Sequence, residues 1–346
     1  MAVADYSDRQ ETSNRTHFRK RLHPREKLLK ALRVDKNKIA VREIDKPEPG
    51  QEALVRVLLS GICNTDLEIA RGYAGFKGTI GHEFVGVMDG EGPLSGQRVV
   101  GEINAGCGEC ELCQSGDPRH CERRTVLGIL GRDGAHAEFL RLPVQNLFKV
   151  PNGVPDEHAV FTEPLAAACG ILEHVDVDSS DRVAVMGDGK LGLLCAQVLA
   201  LTGAHVMLIG KHPEKLRIAE RRGIETATVK AGAKRKHQFD VVVEASGSPT
   251  AFGVALDLLR AQGVLVLKST FAENTDMGQI NQARLVVDEI SIVGSRCGRF
   301  EPALDLLKKG AIDIDSLISE EYPLSRGVYA MERAAKKGVL KVFLRP

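Results

Sequence analysis

The first half of the chain is written in short apolar runs. Ala31–Val34, Ile39–Arg42, Ala53–Leu59, Glu83–Met88, Gln97–Val100 and Glu138–Leu142 are rich in β-branched and aliphatic residues, and turn formers such as Lys46-Pro-Glu-Pro-Gly50 separate them. This pattern predicts an all-β, barrel-like region with few helices. Asp156 to Glu173 then reads as helical. After Asp181 the rhythm changes. Strands are expected at Arg182–Met186, His205–Ile209, Asp240–Glu244 and Gly263–Lys268, alternating with helices at Leu191–Leu201, Pro213–Arg222 and Ala251–Leu259. Strand–helix alternation of this kind means a doubly wound parallel sheet covered on both faces. Helices at Glu301–Lys309 and Val328–Lys337 and a last strand at Leu340–Leu344 complete the chain.

Length and composition narrow the picture. The 346 residues suit two domains, and 43% hydrophobic with 27% charged residues is ordinary for a globular protein. A formal net charge of +1 gives no pull toward nucleic acid or a membrane surface. Leu191 to Gly210 carries no Asp, Glu, Lys or Arg, but Gly203-Ala204 breaks it, and a buried helix followed by a buried strand is expected rather than a membrane span. Residues 1–27 are polar, with a basic knot at Arg19-Lys20-Arg21, and read as an extension. No apolar secretory segment precedes the β-rich region, so a cytoplasmic location is expected.

Gly187-Asp-Gly-Lys-Leu-Gly192 fits G-x-G-x-x-G between an expected strand and an expected helix, the context a dinucleotide needs. Gly187 permits the tight turn, Gly189 lets the backbone approach a pyrophosphate, Leu191 opens the helix, and Gly192 lets helix and strand pack closely. The next strand ends in Gly210, Lys211 and His212 rather than in an Asp or Glu for the ribose 2′-hydroxyl. With no carboxylate on that strand, and Lys211 and His212 available to a 2′-phosphate, NADP is expected over NAD.

Four of the eight cysteines fall in Cys107-x-x-Cys110-x-x-Cys113-x₇-Cys121. Four thiolates at this spacing can close a tetrahedral shell around one structural Zn²⁺; an iron–sulfur cluster or disulfides are the alternatives. Three further segments carry candidate ligands: Gly61-Ile-Cys63-Asn-Thr65-Asp66, Gly81-His82-Glu83 and Thr162-Glu163-Pro164. Cys169 and Cys195 read as core residues, and Cys297 as either packing or cleft lining.

Taken together, these motifs resemble the zinc-containing medium-chain dehydrogenase/reductase family of alcohol, sorbitol and threonine dehydrogenases, from about Leu28 to Pro346. The resemblance implies a GroES-like β-barrel catalytic domain (28–163 and 297–346) around a Rossmann domain (164–296). It implies Cys63, His82 and Glu163 as catalytic zinc ligands, Glu83 as an acidic neighbour able to exchange onto the metal, Thr65 as the hydroxyl that relays the substrate proton, and Asp66 as the carboxylate orienting the ligand histidine. It implies two zinc ions per chain, a small-molecule secondary alcohol or its ketone as substrate, and a homodimer or homotetramer. A zinc-independent quinone or enoyl reductase, or a non-enzymatic nucleotide-binding protein, are the alternatives on the same fold. Asn64 and Glu68 depart from the family pattern, which leaves the outer proton path open.

Overall fold

The structure is a computed structural model and describes residues 28–48, 50–270 and 282–346. The polar extension and its basic knot lie outside the described residues.

The β-rich half begins with β1 (Leu28–Asp35), β2 (Lys38–Asp45) and β3 (Ala53–Gly61). Helix α1 (Asn64–Ala70), β4 (Gly78–Thr79), β5 (Glu83–Asp89), β6 (Arg98–Gly101) and β7 (Asn104–Ala105) follow. The short helix α2 (Glu111–Gln114) lies in the cysteine segment, before β8 (Thr125–Leu127), β9 (Gly131–Arg132), β10 (Phe139–Leu142) and β11 (Leu147–Lys149). The largest sheet of this half runs β11-β6-β5-β3 and continues into two strands from the C-terminus, while β10 pairs the N-terminal part of β3. Alternate residues of β3, β5 and β6 (Val55, Val57, Phe84, Met88, Val99) meet Leu140, Leu142 and Leu147 in one buried cluster. Period-two patterning thus closes a barrel-like core.

The stretch expected to be one helix from Asp156 to Glu173 is broken into α3 (Asp156–Ala159), α4 (Thr162–Cys169) and a 3₁₀ turn at Gly170–Glu173. Pro164 explains part of the break: it has no N–H to give an earlier carbonyl and is tolerated only in a first turn. The restart places Glu163 in the first turn of α4.

The second half contains β12 (Arg182–Met186), α5 (Lys190–Ala200), β13 (His205–Gly210), α6 (Pro213–Glu220), β14 (Glu225–Thr228) and α7 (Val229–Gly232). It continues with β15 (Phe239–Glu244), α8 (Pro249–Leu258), β16 (Leu259–Leu267), α9 (Gln282–Val287) and β17 (Ser291–Gly294). All six strands are parallel, in the order β14-β13-β12-β15-β16-β17. Val183 and Val185 of β12 face α5 and α6, while Ala184 and Met186 face α8. Burial on both faces is why these strands read as nearly continuous apolar runs. The short edge strands β14 and β17 carry no such run and escaped the sequence pattern. Among the described residues no helix is long and apolar enough to cross a membrane.

The chain then returns through α10 (Phe300–Lys308), β18 (Ile318–Pro323), α11 (Gly327–Ala334) and β19 (Lys341–Arg345), and β19 pairs antiparallel with β3. The two passages of chain between the halves cross at Gly170 and Gly298, whose Cα atoms are in contact range. A Cβ on Gly298 would meet the Ala166 carbonyl oxygen at 1.9 Å, and one on Gly170 the Cys297 carbonyl oxygen at 2.3 Å. Arg119, in a 3₁₀ turn at Pro118–His120, ties the cysteine segment to this crossing: it pairs with Asp117 and Glu173, and Glu173 accepts the Arg299 N–H.

Candidate active site

Strand register gathers the first cluster. Gly61 of β3 lies opposite Glu83 of β5 and opposite Phe343 of β19. Cys63 caps the helix that follows β3, and His82 immediately precedes β5. The ligand atoms of Cys63, His82 and Glu83 consequently lie within 4.8 Å of one another. Glu83 forms a buried ion pair with Lys341 of β19. Gly61 has no side chain because that pair meets over it: a Cβ there would stand 2.6 Å from Glu83 Oε2 and 3.2 Å from Lys341 Cδ.

Asp66 ties the cluster together from behind. It is fully buried, and its carboxylate accepts the Cys63 N–H at 2.8 Å and the Gly81 N–H at 3.1 Å. His82 Nδ1 stands 3.5 Å away on one side and His136 Nε2 3.4 Å away on the other. The His136 Nδ1 lies 2.9 Å from the Ser60 hydroxyl. Burial alone would raise the Asp66 carboxyl, but the two imidazoles outweigh it and hold it far below the ordinary carboxylate range. Burial likewise pulls the His82 imidazole down, and Asp66 and Cys63 override it to leave it well above its usual value. The cluster therefore favours positive charge. A sulfur, an imidazole and a carboxylate at mutual contact fit a zinc ion.

Glu163 is not among the three mutually close ligand groups. Its carboxyl lies near enough to feel His82, Glu83, Glu102 and Lys341, and burial followed by the neighbouring acids pushes it up to about 7. Two carboxylates thus lie at one candidate cation site: Glu83, with its ligand atom within 4.8 Å of those of Cys63 and His82, and Glu163, near enough to His82 and Glu83 to feel their charge. Metal analysis of single variants separates their roles. If Glu163 is a ligand, Glu163→Ala drops the zinc content from two ions to one; with Glu83 as the ligand, Glu83→Gln does so and Glu163→Ala keeps both. Thr65 Oγ1 sits 3.7 Å from Cys63 Sγ. Glu68 is exposed and pairs with Arg71.

The four sulfurs of Cys107, Cys110, Cys113 and Cys121 also lie within 4.8 Å of one another. Backbone N–H groups of Glu109 and Cys110 pull the Cys107 thiol down to about 6, as expected of a loop that wraps its amides around thiolates. All eight cysteines are free. The geometry fits a closed tetrahedral Zn²⁺ and leaves disulfide pairing unformed. Cys169 and Cys195 are core residues. Cys297 is partly buried, receives the Asn104 side-chain N–H at 3.7 Å, and is near enough to Glu163 and Glu102 to feel their charge.

Across from the first cluster stands the glycine-rich turn. It follows β12, adjacent to β15, where the strand order reverses and parallel sheets bind ligands. Gly187 adopts φ +120°, a conformation few side chains tolerate. A Cβ on Gly192 would meet the Gly187 carbonyl oxygen at 1.9 Å, whereas Gly189 has nothing within 4 Å. The Gly187 dihedral and the Gly192 contact enforce the turn. Gly189 leaves an open face over the start of α5, which a pyrophosphate would fit. Leu191, partly buried, packs against the core beneath this face. Lys190 reaches across the cleft and donates from Nζ to the Ile62 carbonyl at 3.1 Å, next to Cys63. Burial and the charge of Lys341 push Lys190 down to about 8.

At the end of β13, Lys211 is exposed and His212 half-buried, as residues facing a ligand should be. The carboxylate that β13 lacks is nevertheless present: Asp188, from the glycine-rich turn, accepts the Lys211 N–H at 2.7 Å and the His212 N–H at 2.6 Å. Sequence reasoning missed Asp188, Lys190, His136, Glu102 and Lys341. Each reaches the site from a segment whose own pattern marks it only as turn, strand or loop.

Comparison with known proteins agrees with this arrangement. Residues 49–152 match the alcohol dehydrogenase GroES-like domain and residues 191–309 the zinc-binding dehydrogenase domain. A sorbitol dehydrogenase of Halalkalibacterium halodurans is 33% identical over 330 residues, 89% of this chain and 95% of that protein. D-arabinitol dehydrogenase 1 of Uromyces fabae is 30% identical over 85% of this chain and 90% of its own length. Among solved structures, a zinc-binding dehydrogenase from Sinorhizobium meliloti 1021 bound to NADP superposes with a TM-score of 0.85 at 30% identity, covering 92% of this chain and 99% of that one. The RspB protein of Escherichia coli CFT073, complexed with NADH, gives 0.84 at 28% identity, covering 92% and 100%. With its barrel-like half, its nucleotide half and its candidate metal clusters, the chain belongs to the zinc-type medium-chain alcohol dehydrogenase family and is a nicotinamide-dependent oxidoreductase.

Proposed function

We propose that this chain interconverts a secondary alcohol of a polyol, sugar, cyclitol or amino alcohol with its ketone, using NADP in preference to NAD and holding one catalytic and one structural zinc. The observation that carries the reading is the apposition of Cys63, His82 and Glu83, with Glu163 nearby, to a glycine-rich turn whose Lys190 touches the residue before Cys63. When bound, zinc acidifies an alcohol and polarises a ketone, and the nicotinamide carries the hydride. The chain's own residues do the rest. Cys63 and His82, with Glu83 or Glu163, would hold the ion. Asp66 fixes Cys63 through its backbone and His82 through its ring, so that both ligands meet the ion preformed. Thr65, beside Cys63, is placed to take the alcohol proton at Oγ1. Glu68, which stands where some relatives carry a relay histidine, is exposed and paired with Arg71.

NADP preference is supported by the Gly210-Lys211-His212 strand end and by the NADP held by the Sinorhizobium relative, although the RspB relative holds NADH. The catalytic part spans 28–163 and 297–346 and the nucleotide part 164–296. A homodimer or homotetramer is supported by β17, the end strand of the parallel sheet among the described residues, with Ile292 exposed beside exposed Val286 and Val287 of α9. Free cysteines throughout suit a reducing compartment such as the cytoplasm.

The test is a panel of polyols, sugars, cyclitols and amino alcohols with each cofactor, run alongside zinc analysis. The expected result is reduction of NADP by at least one class of secondary alcohol, lost on chelation. Activity only on quinones or enoyl substrates, insensitive to chelators, would establish the zinc-independent reading instead. A clear preference for NAD would remove the cofactor assignment and leave the metal site intact.

A further inference from the structure

The end of β13 holds a carboxylate that no residue of β13 supplies. Asp188 is 7% exposed and lies in the turn between the first and second glycines of the fingerprint. Its Oδ2 accepts both the Lys211 and the His212 backbone N–H, and His212 Nδ1 stands 3.0 Å from Oδ2 and 3.1 Å from Oδ1. Gly210 is the space this requires: a Cβ there would be 2.6 Å from both Cβ and Oδ2 of Asp188. Asp188 and a strand-end Asp or Glu are therefore mutually exclusive. A strand-end acid points outward, accepts the ribose 2′-hydroxyl and repels a 2′-phosphate. The Asp188 carboxylate points inward and is occupied by three donors. Burial opposes its ionisation, but the His212 and Lys211 amides and the His212 ring hold it ionised.

We propose that Asp188 is a positioning residue for cofactor selection, locking the turn after β13 and the His212 ring so that Lys211 and the outer ring nitrogen of His212 form a seat for the 2′-phosphate of NADP. With Nδ1 turned toward Asp188, Nε2 is left at the opposite side of the ring, without a partner among the described residues. Lys211 is exposed and forms no ion pair among the described residues. The Asp188 carboxylate is directed at the two amides and the His212 ring, which leaves exposed Lys211 as the cation of the seat. This inference rests on the proposed NADP preference.

The test uses the intact enzyme and two adenosine probes without nicotinamide, so that binding is read apart from turnover. Calorimetric titration gives the affinity ratio of adenosine 2′,5′-bisphosphate to AMP. In the wild type the ratio should favour the bisphosphate by about tenfold or more, the scale of one charge-assisted contact. Asp188→Asn should cut the ratio by about tenfold while leaving AMP affinity within about twofold. His212→Ala should do the same, and the double variant should be no worse than either single one, because Asp188 acts through His212. A ratio unchanged in Asp188→Asn, additive losses in the double variant, or a ratio that rises when the carboxylate is removed would each overturn the proposal; the last would make Asp188 a repelling acid. Should Asp188→Asn not fold, His212→Ala decides alone: a ratio equal to that of wild type overturns it. A wild type that binds both probes equally defeats the NADP reading itself, and the inference with it.

Discussion

Lys341→Met is expected to remove about 3–5 kcal/mol of folding stability, measured by urea unfolding of the purified enzyme. The argument starts from burial. Lys341 and Glu83 are both essentially inaccessible to water, and each is the other's ion-pair partner. Two charges taken from water together repay much of their desolvation by mutual attraction. Removing one leaves the other in a medium that cannot solvate it. Methionine fills a similar volume, so cavity formation contributes little and the loss reports the stranded carboxylate. Glu83→Gln should be comparably destabilising through the stranded ammonium, and the Glu83→Gln/Lys341→Met pair should recover most of the loss. A drop below about 1 kcal/mol in Lys341→Met, the range of a solvent-exposed pair, would show that Glu83 finds another partner and that the buried pair does not organise this corner of the barrel.

Substituting one thiol of the cysteine cluster should have the second large effect. Residues 107–121 contribute only one buried hydrophobic residue, Cys121, while Leu112 is 41% exposed. With so little core, the loop's order must come from its four sulfurs and from the Arg119 contacts. Zinc bound by four thiolates contributes about 10–16 kcal/mol in small metal-folded peptides at neutral pH, enough to decide whether such a loop is ordered. Cys110→Ser is therefore expected to lose one zinc ion per chain, and amide protection across the loop should fall to that of unfolded chain while the parallel sheet keeps its own. Hydrogen exchange read by mass spectrometry checks both halves of this expectation. Protection unchanged across the loop would mean that the Asp117–Arg119–Glu173 pairs, not the metal, hold it in place.

Much of this architecture was legible from the chain. The parallel strands were visible because burial on both faces makes them unbroken apolar runs, and the glycine spacing identified the turn between β12 and α5. The cysteine spacing brought its four sulfurs together without help from the rest of the fold. What escaped reading has a common physical origin. Lys341 lies 258 residues from Glu83 along the chain, and the two meet only because β19 pairs with β3. His136 approaches Asp66 from a loop whose pattern is that of a turn. Asp188 looks like a spacer between glycines until the structure shows the turn after β13 closing on it. The helix from Asp156 to Glu173 failed for a local reason, Pro164, that hydropathy alone underweights. The family resemblance implies Glu163 as the third ligand, and the ligand atoms within 4.8 Å of one another are those of Cys63, His82 and Glu83. A linear pattern cannot rank two carboxylates that converge from a strand and a helix far apart in the chain.

The crossing at Gly170 and Gly298 sets a spacing as well as a topology. Where the two connecting passages touch, neither carries a side chain beyond hydrogen, so main-chain thickness sets how closely the nucleotide half approaches the half with the candidate metal cluster at this point. A single methyl at either point would meet main chain of the other passage and force the two apart. Hydride transfer tolerates very little added gap between donor and acceptor. Close packing at these two positions therefore bears on reactant separation, a demand that leaves no trace in either half considered alone.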